Sequence, residues 1–474
     1  MDLAGLIETV HHDVMFPPSA PRPGVLMGFY GDDFTGSTDA LEAVATAGLP
    51  ALLFLAPPTP ADLARHPGLA VVGIAGTSRS RSPDWMDTHL PAAFSALRGL
   101  GVRVCHYKTC STFDSAPRVG SIGRAAEIGR AVFGGAALVA VGVPRHQRFV
   151  VFSNLFAAGS FSGAEEIFRI DRHPTMSRHP VTPMDEADLR RHLARQTGQR
   201  ILGFDFRRML RPDAAAALEA EIAAGAELVV LDGFDEATLA AAGALIAGRS
   251  ERAPTFVAGS SGVEYALLPT LTAQAADRLR PPPRPAGPAE RIVVCCGSCS
   301  PVTEKQIAWA EAHGFAMIAA DTPEIIARRD DPTLPEALAA PVIAALGEHR
   351  GVVLHSARGG ADPRIAPTRA ALAAAGLAAS DSAGVLGTVM GRTLRAVVAR
   401  TGLRRLILAG GDSSSHTVAA MGVTALEMAA PLLPGAPLCR VHSADAALQG
   451  LELALKGGQV GGPDCFGVSL GGVS

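Results

Sequence analysis

The sequence has almost no net charge. Among its 474 residues, 42 lysine and arginine residues stand against 45 aspartate and glutamate residues, which gives a formal charge of −3. This balance argues against nucleic acid or an anionic membrane surface as the main partner. Only 18% of the residues are charged and 48% are apolar, which excludes a disordered chain. A soluble enzyme is therefore expected.

The chain also lacks a long apolar segment that could form one helix. The longest charge-free stretch near the N-terminus, 43–61, contains a glycine and four prolines, so it cannot span a membrane as a helix. Residues 1–23 lack the continuous apolar core of a signal peptide. We expect a loose N-terminal extension there and a cytoplasmic protein.

Seven cysteines, an odd number in a long chain, make a poor disulfide framework, and reduced thiols are expected. Cys296 and Cys299 form a C-x-x-C pair, but no second pair at zinc spacing accompanies them. We interpret them as small residues of a tight loop, with metal or redox use as the alternative. No metal ligands are assigned from the sequence.

From residue 24 onward, short apolar segments alternate with longer segments rich in alanine and leucine. This is the pattern of strands followed by crossover helices, and strands that are almost wholly apolar are typical of a parallel sheet covered on both faces. The segment 281–289 contains five prolines and predicts a stiff linker. The predicted class is α/β with two domains, each a mainly parallel sheet with helices on both faces. The predicted boundaries are an extension 1–23, a first domain 24–280, the linker 281–289 and a second domain 290–474.

Two adjacent carboxylates, Asp32 and Asp33, follow the first predicted strand and precede a helix. Ligands gather at the carboxyl ends of strands in an open parallel sheet. A carboxylate pair there could bind sugar hydroxyls, hold Mg²⁺ or act as a general base. Thr35 and Gly36 extend this candidate site, since glycine lets the backbone approach a substrate. The alternative is a helix cap made by Asp33 or Thr35.

Cationic and hydroxyl side chains form two further candidate segments in the first domain. Lys108 ends another apolar strand, and with Ser111 and Thr112 it suits a carboxylate or phosphate group, although a surface lysine is the alternative. The segment 170–183 is rich in cations and contains three prolines, so it either recognises an anionic substrate or forms a solvated connection. The candidates in it are Arg172, His173 and Arg178.

Two turns rich in glycine and serine in the second domain each follow an apolar strand and precede a helix. Backbone N–H groups, hydroxyls and the helix dipole can surround phosphate oxygens there, although such turns are also common structural joints. A loop after Lys456 could bring further backbone groups close to a bound phosphate. No G-x-x-x-x-G-K-[ST] motif occurs, so a nucleotide would not be held by a Walker A loop. The candidate nucleotide-binding residues are Ser298, Ser300, Gly410, Gly411, Asp412, Ser413, Ser414, Gly457 and Gly458.

Together these motifs resemble the four-carbon acid sugar kinase family. The family's Asp-Asp-x-Thr-Gly matches 32–36, its Gly-Ser-Cys-Ser matches 297–300, its Gly-Gly-[Asp/Glu]-[Thr/Ser]-Ser matches 410–414, and its closing Lys-Ser-Gly-Asn-Phe-Gly is similar to 456–461. The likeness covers nearly the whole chain from residue 24. It implies a sugar-acid-binding domain followed by an ATP-binding domain. It also implies phosphorylation of a terminal hydroxyl of a small sugar acid with ATP and Mg²⁺, where Asp32 or Asp33 orients or deprotonates the hydroxyl.

One segment departs from the family pattern. Where the family usually carries Lys-x-Asp-Ser-Thr-Leu-Arg-Gly, this chain has Cys110 in place of the aspartate and Asp114 in place of the arginine. The altered charge speaks against an ordinary 3-oxo-tetronate or threonate-like substrate. The variant resembles the subgroup for which 3-oxo-isoapionate kinase activity is implied, and a 3-oxo-tetronate or other four-carbon acid sugar kinase is the alternative.

Two other function classes stay open at this point. A sugar phosphatase of the haloacid dehalogenase type would use Asp32 as nucleophile, but that type needs Asp-x-Asp, and here the carboxylates are adjacent. A non-catalytic sugar-acid sensor would bind its ligand without consuming ATP. The expected partners are a small sugar acid and ATP, with no nucleic acid and no membrane, and a homo-oligomer is left open.

Overall fold

The computed structural model describes residues 22–159, 166–179 and 181–473. By its internal contacts the chain divides into two compact units. The first unit comprises residues 1–32, 43–51 and 57–281, and the second comprises 33–42, 52–56 and 282–474. Two short segments that precede the proline-rich linker in sequence therefore belong to the second unit. Most of the predicted N-terminal extension, up to residue 21, lies outside the described residues.

The described residues form the following strands and helices. The strands are β1 (Met27–Gly31), β2 (Ala51–Phe54), β3 (Val71–Ala75), β4 (Val104–Lys108), β5 (Ala137–Ala140), β6 (Arg148–Val151), β7 (Asn154–Gly159), β8 (Glu166–Arg169), β9 (Ile201–Phe204), β10 (Leu228–Leu231), β11 (Thr255–Gly259), β12 (Ile292–Cys296), β13 (Ala316–Ala319), β14 (Gly351–His355), β15 (Arg405–Ala409), β16 (Ala425–Leu433), β17 (Ala436–His442) and β18 (Glu452–Lys456). The helices are α1 (Phe34–Thr46), α2 (Pro60–Ala64), α3 (Pro83–Gly99), α4 (Ile122–Phe133), α5 (Leu189–Ala194), α6 (Phe206–Met209), α7 (Ala214–Ala223), α8 (Glu236–Arg252), α9 (Gly262–Gln274), α10 (Pro301–Ala312), α11 (Thr322–Ala327), α12 (Leu334–Glu348), α13 (Ile365–Ala374), α14 (Ser382–Thr401), α15 (Asp412–Met421) and α16 (Cys465–Gly471).

The main sheet of the first unit is parallel throughout, in the order β3–β1–β4–β11–β5–β10–β9. Every residue of β1, β4 and β11 is buried, as expected of strands covered on both faces. Helix α3 buries Met86, Leu90, Phe94 and Leu97, which recur at helical spacing and form one apolar stripe. Burying each of these side chains contributes roughly 1.5–3 kcal/mol.

A small antiparallel sheet, β6–β7–β8, lies apart from the main sheet of the first unit, and the alternation of segments did not predict it. Phe152 and Ser153 form its first turn with φ angles of 49° and 62°, the left-handed values that a two-residue hairpin turn requires. The Asp232 carboxylate accepts the N–H groups of both residues at 2.9 Å. These hydrogen bonds stabilise a conformation that residues with side chains rarely adopt.

The sheet of the second unit runs β13–β14–β12–β15–β18–β17–β16–β2. Its first five strands are parallel, whereas β17, β16 and β2 pair antiparallel to their neighbours. Gly435, at φ 74°, turns the chain between β16 and β17. The predicted α/β class with mainly parallel sheets is confirmed, although the antiparallel hairpin was not foreseen.

No single helix in the described part of the chain is both long and apolar enough to cross a membrane. One pair of helical segments, Ile365–Ala374 and Ala379–Thr401, meets the length and composition limits only when joined, and the two are bent by 110°.

Candidate functional site

Asp32 and Lys108 lie at the carboxyl ends of neighbouring parallel strands in the first unit. The Asp32 N–H donates to the Lys108 carbonyl at 2.9 Å, and the Asp32 carbonyl accepts the Arg79 N–H at 3.0 Å. Both residues are buried, with 4% and 2% of their surfaces exposed. The Lys108 ammonium donates to the Thr109 carbonyl at 3.0 Å. A buried carboxylate and a buried cation therefore occupy the sheet edge where the sequence predicted ligand binding.

Two buried tyrosines, Tyr30 and Tyr107, are near enough to Asp32 for its charge to act on their pKa values. The rings of Tyr30 and Tyr107 stack in parallel with centroids 6.0 Å apart, and the Tyr107 hydroxyl lies 2.8 Å from Ser78 Oγ. Burial raises the pKa of Tyr30 to about 12 and lifts the pKa of Tyr107 well above its ordinary value, and the charge of Asp32 acts in the same direction on both. Both phenols therefore stay neutral at physiological pH.

Asp33 caps the first turn of α1. Its Oδ1 accepts the Gly36 N–H at 2.6 Å, and its Oδ2 accepts the Thr35 hydroxyl at 3.0 Å. The Asp33 carbonyl accepts the Ser37 hydroxyl at 2.6 Å. The structure thus brings the predicted residues Asp33, Thr35 and Gly36 together in the cap that the sequence allowed as an alternative.

The segment after Lys108 folds around Asp114. The Asp114 carboxylate accepts two hydrogen bonds from Arg79, at 3.0 and 3.2 Å, and one from the Thr112 hydroxyl at 2.5 Å. Burial would raise the pKa of Asp114, but the charge of Arg79 and the bond from Thr112 hold it below its ordinary value. The Thr112 hydroxyl also lies 3.0 Å from Cys110 Sγ. The predicted residue Ser111 is half-buried in the same loop.

The segment 170–183 reaches this loop through one side chain. The Thr182 hydroxyl donates to Asp114 at 3.3 Å, so a residue distant in sequence joins the cluster around that carboxylate. The predicted residues Arg172 and Arg178 are exposed to solvent. Their role in substrate binding stays a prediction.

His173 is buried, and both of its ring nitrogens have partners within the protein. Nδ1 accepts the N–H groups of Thr175 and Met176 at 3.2 Å, and Nε2 lies 3.2 Å from the Ala158 carbonyl. Because Nδ1 accepts hydrogen bonds, Nε2 carries the proton, and burial lowers the pKa of the ring. His173 therefore orders its own segment as a neutral imidazole, and contact with a substrate stays a prediction.

Three glycine-containing loops converge at the carboxyl end of the parallel strands in the second unit. A Cβ atom on Gly297 would lie 2.3 Å from Ser413 Oγ, and one on Gly410 would lie 2.4 Å from the same oxygen. A Cβ atom on Gly458 would lie 2.6 Å from Ser298 Oγ. The loops approach so closely that only glycine fits at these positions without a shift of the neighbouring residue. All three predicted nucleotide-binding segments thus meet.

The first two of these loops, around Gly297 and Gly410, line a cleft of about 460 Å³ in the second unit, with α13 and α14 forming other parts of its wall. This volume is typical of small-molecule sites. Helices α10 and α15 begin in the loops, so their unpaired N–H groups and positive dipole ends lie at the same edge of the sheet. Ser300 caps α10 by accepting the Val302 N–H at 3.1 Å. The arrangement is suited to phosphate oxygens.

Lys456 holds the third loop in place. Its buried ammonium donates to the carbonyls of Gly457 and Val460 at 2.9 and 3.1 Å, and its own carbonyl accepts the Gly410 N–H at 2.9 Å. Burial lowers the pKa of this lysine. The side chain of Asp412 lies outside the part of the structure that is described. Lys456 therefore joins two of the predicted loops.

Sequence reasoning missed Arg79, which belongs to the cluster around Asp114. Arg79 follows β3 within a Ser-Arg-Ser-Arg segment, at the same edge of the sheet as Asp32 and Lys108. The strand-end rule that selected those two residues would also have selected Arg79. In the described residues no group of three or more His, Cys, Asp or Glu side chains forms a metal site.

Comparison with protein families matches residues 27–267 to a sugar-binding N-terminal domain and residues 293–466 to a nucleotide-binding C-terminal domain. A 3-oxo-isoapionate kinase from Paraburkholderia graminis is 45% identical over 446 residues, which cover 94% of each chain. A 3-oxo-tetronate kinase from Methylobacterium radiotolerans is 31% identical, covering 94% of this chain and 98% of the relative. A crystal structure from Salmonella typhimurium LT2, 24% identical, covers 93% of this chain and 97% of its own with a TM-score of 0.70, which shows a shared fold.

Proposed function

The chain belongs to the four-carbon acid sugar kinase family, and on that premise we propose that it phosphorylates a terminal hydroxyl of 3-oxo-isoapionate with ATP, giving the 4-phosphate. The 45% identity to a 3-oxo-isoapionate kinase over 94% of both chains carries this proposal. The 3-oxo-tetronate kinase compared above is less similar, at 31%. The cysteine and aspartate at positions 110 and 114, which depart from the usual family pattern, also favour 3-oxo-isoapionate as the substrate.

The proposed nucleotide site is the cleft of the second unit. The close approach of Gly297, Gly410 and Gly458 to neighbouring side chains leaves backbone N–H groups near the starts of α10 and α15. ATP supplies the phosphoryl group that is transferred. The residues of this cleft bind and orient it, because phosphoryl transfer depends chiefly on positioning and on stabilising charge.

The proposed sugar-acid site lies at the carboxyl ends of β1 and β4 in the first unit. Lys108 and the ion pair of Arg79 with Asp114 offer a cation, a carboxylate and hydroxyl groups at one sheet edge. These groups match a small ligand that carries both hydroxyls and an acid group. The exposed cations Arg172 and Arg178 are proposed as outer contacts of the same ligand.

Asp32 is the proposed general base, and Asp33 is the proposed positioning residue. Both carboxylate oxygens of Asp33 already accept hydrogen bonds from the first turn of α1. The Asp32 backbone is hydrogen-bonded to Lys108, and the two tyrosines that its charge affects are neutral. In the proposed step the substrate hydroxyl loses its proton to Asp32 as its oxygen bonds to the γ-phosphorus, and ADP leaves with the electron pair of the broken P–O bond.

Mg²⁺ is proposed to accompany ATP. Magnesium usually keeps several waters and is bound by substrate phosphates with one or two carboxylates, so it needs no dedicated cluster of protein ligands. It would neutralise charge on the phosphate oxygens during transfer.

A cytoplasmic location is part of the proposal. The seven cysteines are free thiols, and Cys299 is exposed, which accords with a reducing compartment. Fractionation of cells that produce the protein would test this directly.

The experiment that tests the substrate assignment compares two acids. ADP release is followed with 3-oxo-isoapionate and with 3-oxo-tetronate as acceptors, and the ratio of the two kcat/KM values is determined. The proposal predicts a ratio well above 10 in favour of 3-oxo-isoapionate. A ratio below one would assign the chain to the 3-oxo-tetronate kinases of the same family.

A further inference from the structure

Arg148 carries a cation that is largely enclosed by the first unit. The residue begins β6, where backbone hydrogen bonds with Val143, at 2.9 and 3.3 Å, fix its main chain. Its Nη1 donates to the carbonyls of His146 and Gln147 at 3.0 and 3.1 Å. Gln147 adopts the left-handed φ of 56°, which a residue with a side chain rarely takes. The turn is therefore shaped around the guanidinium.

The guanidinium of Arg148 has more N–H groups than there are acceptors around it among the described residues. Of its five N–H groups, the two on Nη1 meet carbonyl oxygens. The remaining three, on Nε and Nη2, have no acceptor among the described residues, and the Nε atom is buried. No carboxylate of the described residues forms an ion pair with Arg148, whereas most arginines of the first unit have such a partner.

A half-buried guanidinium without a carboxylate partner among the described residues lowers the stability of the fold. Burial lowers the pKa of Arg148, which reflects the unfavourable transfer of the charge out of water. A carboxylate ligand would offset this cost, because the planar guanidinium can donate two parallel hydrogen bonds to its two oxygens. Nε and Nη2, the two nitrogens without an acceptor among the described residues, are the pair that would hold such an anion.

The neighbours of Arg148 connect it to the proposed sugar-acid site. The Cys110 thiol is close enough to influence the pKa of Arg148, and Cys110 lies two residues after Lys108. The charge of Arg148 in turn contributes to the lowered pKa of His173. The backbone supports the link to His173: Arg148 pairs with Ala157 in β7, and the carbonyl of the next residue, Ala158, lies 3.2 Å from His173 Nε2. Strand β7 thus connects Arg148 to the segment 170–183, one of the candidate segments that the sequence identified.

We propose that Arg148 binds the carboxylate of the sugar acid and so selects acids over neutral sugars. This inference rests on the proposed function, because it takes the ligand of the first unit to be a sugar acid. It extends that function, since Arg148 lies outside every motif by which the sequence was interpreted. Position 110, where the family usually has an aspartate, carries an uncharged cysteine and so supplies no carboxylate that could compete with the substrate for Arg148.

The test uses two stable four-carbon ligands, erythronate and erythritol, which differ in carrying a carboxylate or a neutral CH₂OH group. Their binding to the full-length protein is measured by calorimetry without ATP, for the unmodified protein, Arg148→Gln and Arg148→Lys. The matched control is Arg191→Gln, which removes the same charge from a side chain that is 76% exposed and paired with Glu186. Circular dichroism and the melting temperature of each variant show whether the first unit, which contains both substituted residues, is folded.

The proposal predicts that Arg148→Gln weakens erythronate binding roughly 10- to 100-fold and leaves erythritol binding unchanged, so the preference for the acid is lost. Arg148→Lys should retain part of the preference, and Arg191→Gln all of it. An unchanged preference in Arg148→Gln would overturn the proposal. If the unmodified protein does not bind erythronate, the same comparison is made with 3-oxo-isoapionate and its neutral primary amide, and a preference there that Arg148→Gln leaves unchanged would overturn the proposal too. A purely structural role would lower the melting temperature and leave the preference intact, which also contradicts it.

The proposed function is judged by a separate measurement. Release of ADP in the presence of 3-oxo-isoapionate tests the kinase assignment, whereas the ligand preference tests Arg148. A protein that selects erythronate through Arg148 but releases no ADP would retain the inference and lose the proposed function. A protein that releases ADP equally well with and without Arg148 would retain the function and lose the inference.

Discussion

Arg79 Nη2 donates to both carboxylate oxygens of Asp114, at 3.0 and 3.2 Å. Asp114 is 6% exposed and stands where the family usually has an arginine, so the guanidinium at this point of the sheet edge comes from the loop after β3. The pair explains how an aspartate is accommodated among residues that are proposed to bind an acid. Its charge is neutralised within the protein.

Breaking this pair should destabilise the protein more than breaking a surface pair. We expect Asp114→Ala to lower the free energy of unfolding by roughly 2–4 kcal/mol, because the partly buried Arg79 would lose both of its hydrogen bonds to this carboxylate. The control is Asp213→Ala, whose partner Arg211 is 62% exposed, and which should cost less than about 1 kcal/mol. Chemical denaturation measures both values. Equal losses in the two variants would contradict this interpretation of the pair.

The two adjacent aspartates should respond differently to substitution. We expect Asp32→Asn to lower kcat by roughly 10²- to 10⁴-fold, because the proton acceptor is removed. Asp33→Asn should lower kcat less and reduce stability by about 1 kcal/mol, since an asparagine can still accept part of the α1 cap. Steady-state kinetics and thermal unfolding separate the effects. Full turnover in both variants would show that neither carboxylate takes part in the reaction.

Gly410 should be required for nucleotide binding. A Cβ atom there would lie 2.4 Å from Ser413 Oγ, and the φ of 147° is strained for any other residue. We expect Gly410→Ala to weaken ATP binding about 10-fold or more, and to leave the affinity for the sugar acid nearly unchanged. The control is Gly347→Ala in α12, where a Cβ atom meets nothing within 4 Å. Calorimetric titration with ATP measures the change, and an unchanged affinity in Gly410→Ala would refute it.

Glu42, in α1, makes the stability of the second unit depend on pH. Burial and the charge of Asp39 raise the pKa of Glu42 to about 7, although its carboxylate accepts the Gly435 N–H at 3.1 Å. As pH rises from about 4.5 to 7, the unfolded chain loses this proton while the folded chain keeps it, so stability falls. Glu42→Gln removes that loss.

The expected result for Glu42→Gln is a protein more stable than the unmodified one at pH 8, by on the order of 1–2 kcal/mol, and similar to it at pH 4. Urea unfolding at the two pH values measures the difference. The control is Glu348→Gln, the same substitution at an exposed position in α12. A gain for Glu42→Gln that is larger at pH 4 than at pH 8 would contradict the sign of the shift.

The succession of short apolar segments and longer segments rich in alanine and leucine was sufficient to predict the parallel strands, because strands buried on both faces are uniformly apolar. It failed for the hairpin of β16 and β17, where the reversal is signalled only by the Pro434–Gly435 turn between two apolar segments. It also failed for β6–β7–β8, which are not uniformly buried: β7 alternates between half-buried and buried residues, and β8 has no buried residue. The assignment of 33–42 and 52–56 to the second unit depends on tertiary contacts that no local pattern encodes.

The sequence predicted which candidate residues would be neighbours where they follow directly after a strand, and their roles in binding and catalysis stay predictions. Asp32 and Lys108 were found by that rule, and they are neighbours because β1 and β4 are adjacent in the sheet. The glycine loops around Gly410 were found because their composition is distinctive. Arg148 was not selected from the sequence, since its proposed role rests on a buried Nε without an acceptor among the described residues, which only the folded structure reveals.

The most direct test of the account is to incubate the protein with ATP, Mg²⁺ and 3-oxo-isoapionate and to follow the phosphorus by ³¹P NMR. The account predicts one sugar-acid phosphate monoester for each ADP formed, with little free inorganic phosphate, and no reaction when either ATP or the acid is left out. It would be contradicted if no ester formed, or if the protein instead released inorganic phosphate from a sugar phosphate without ATP.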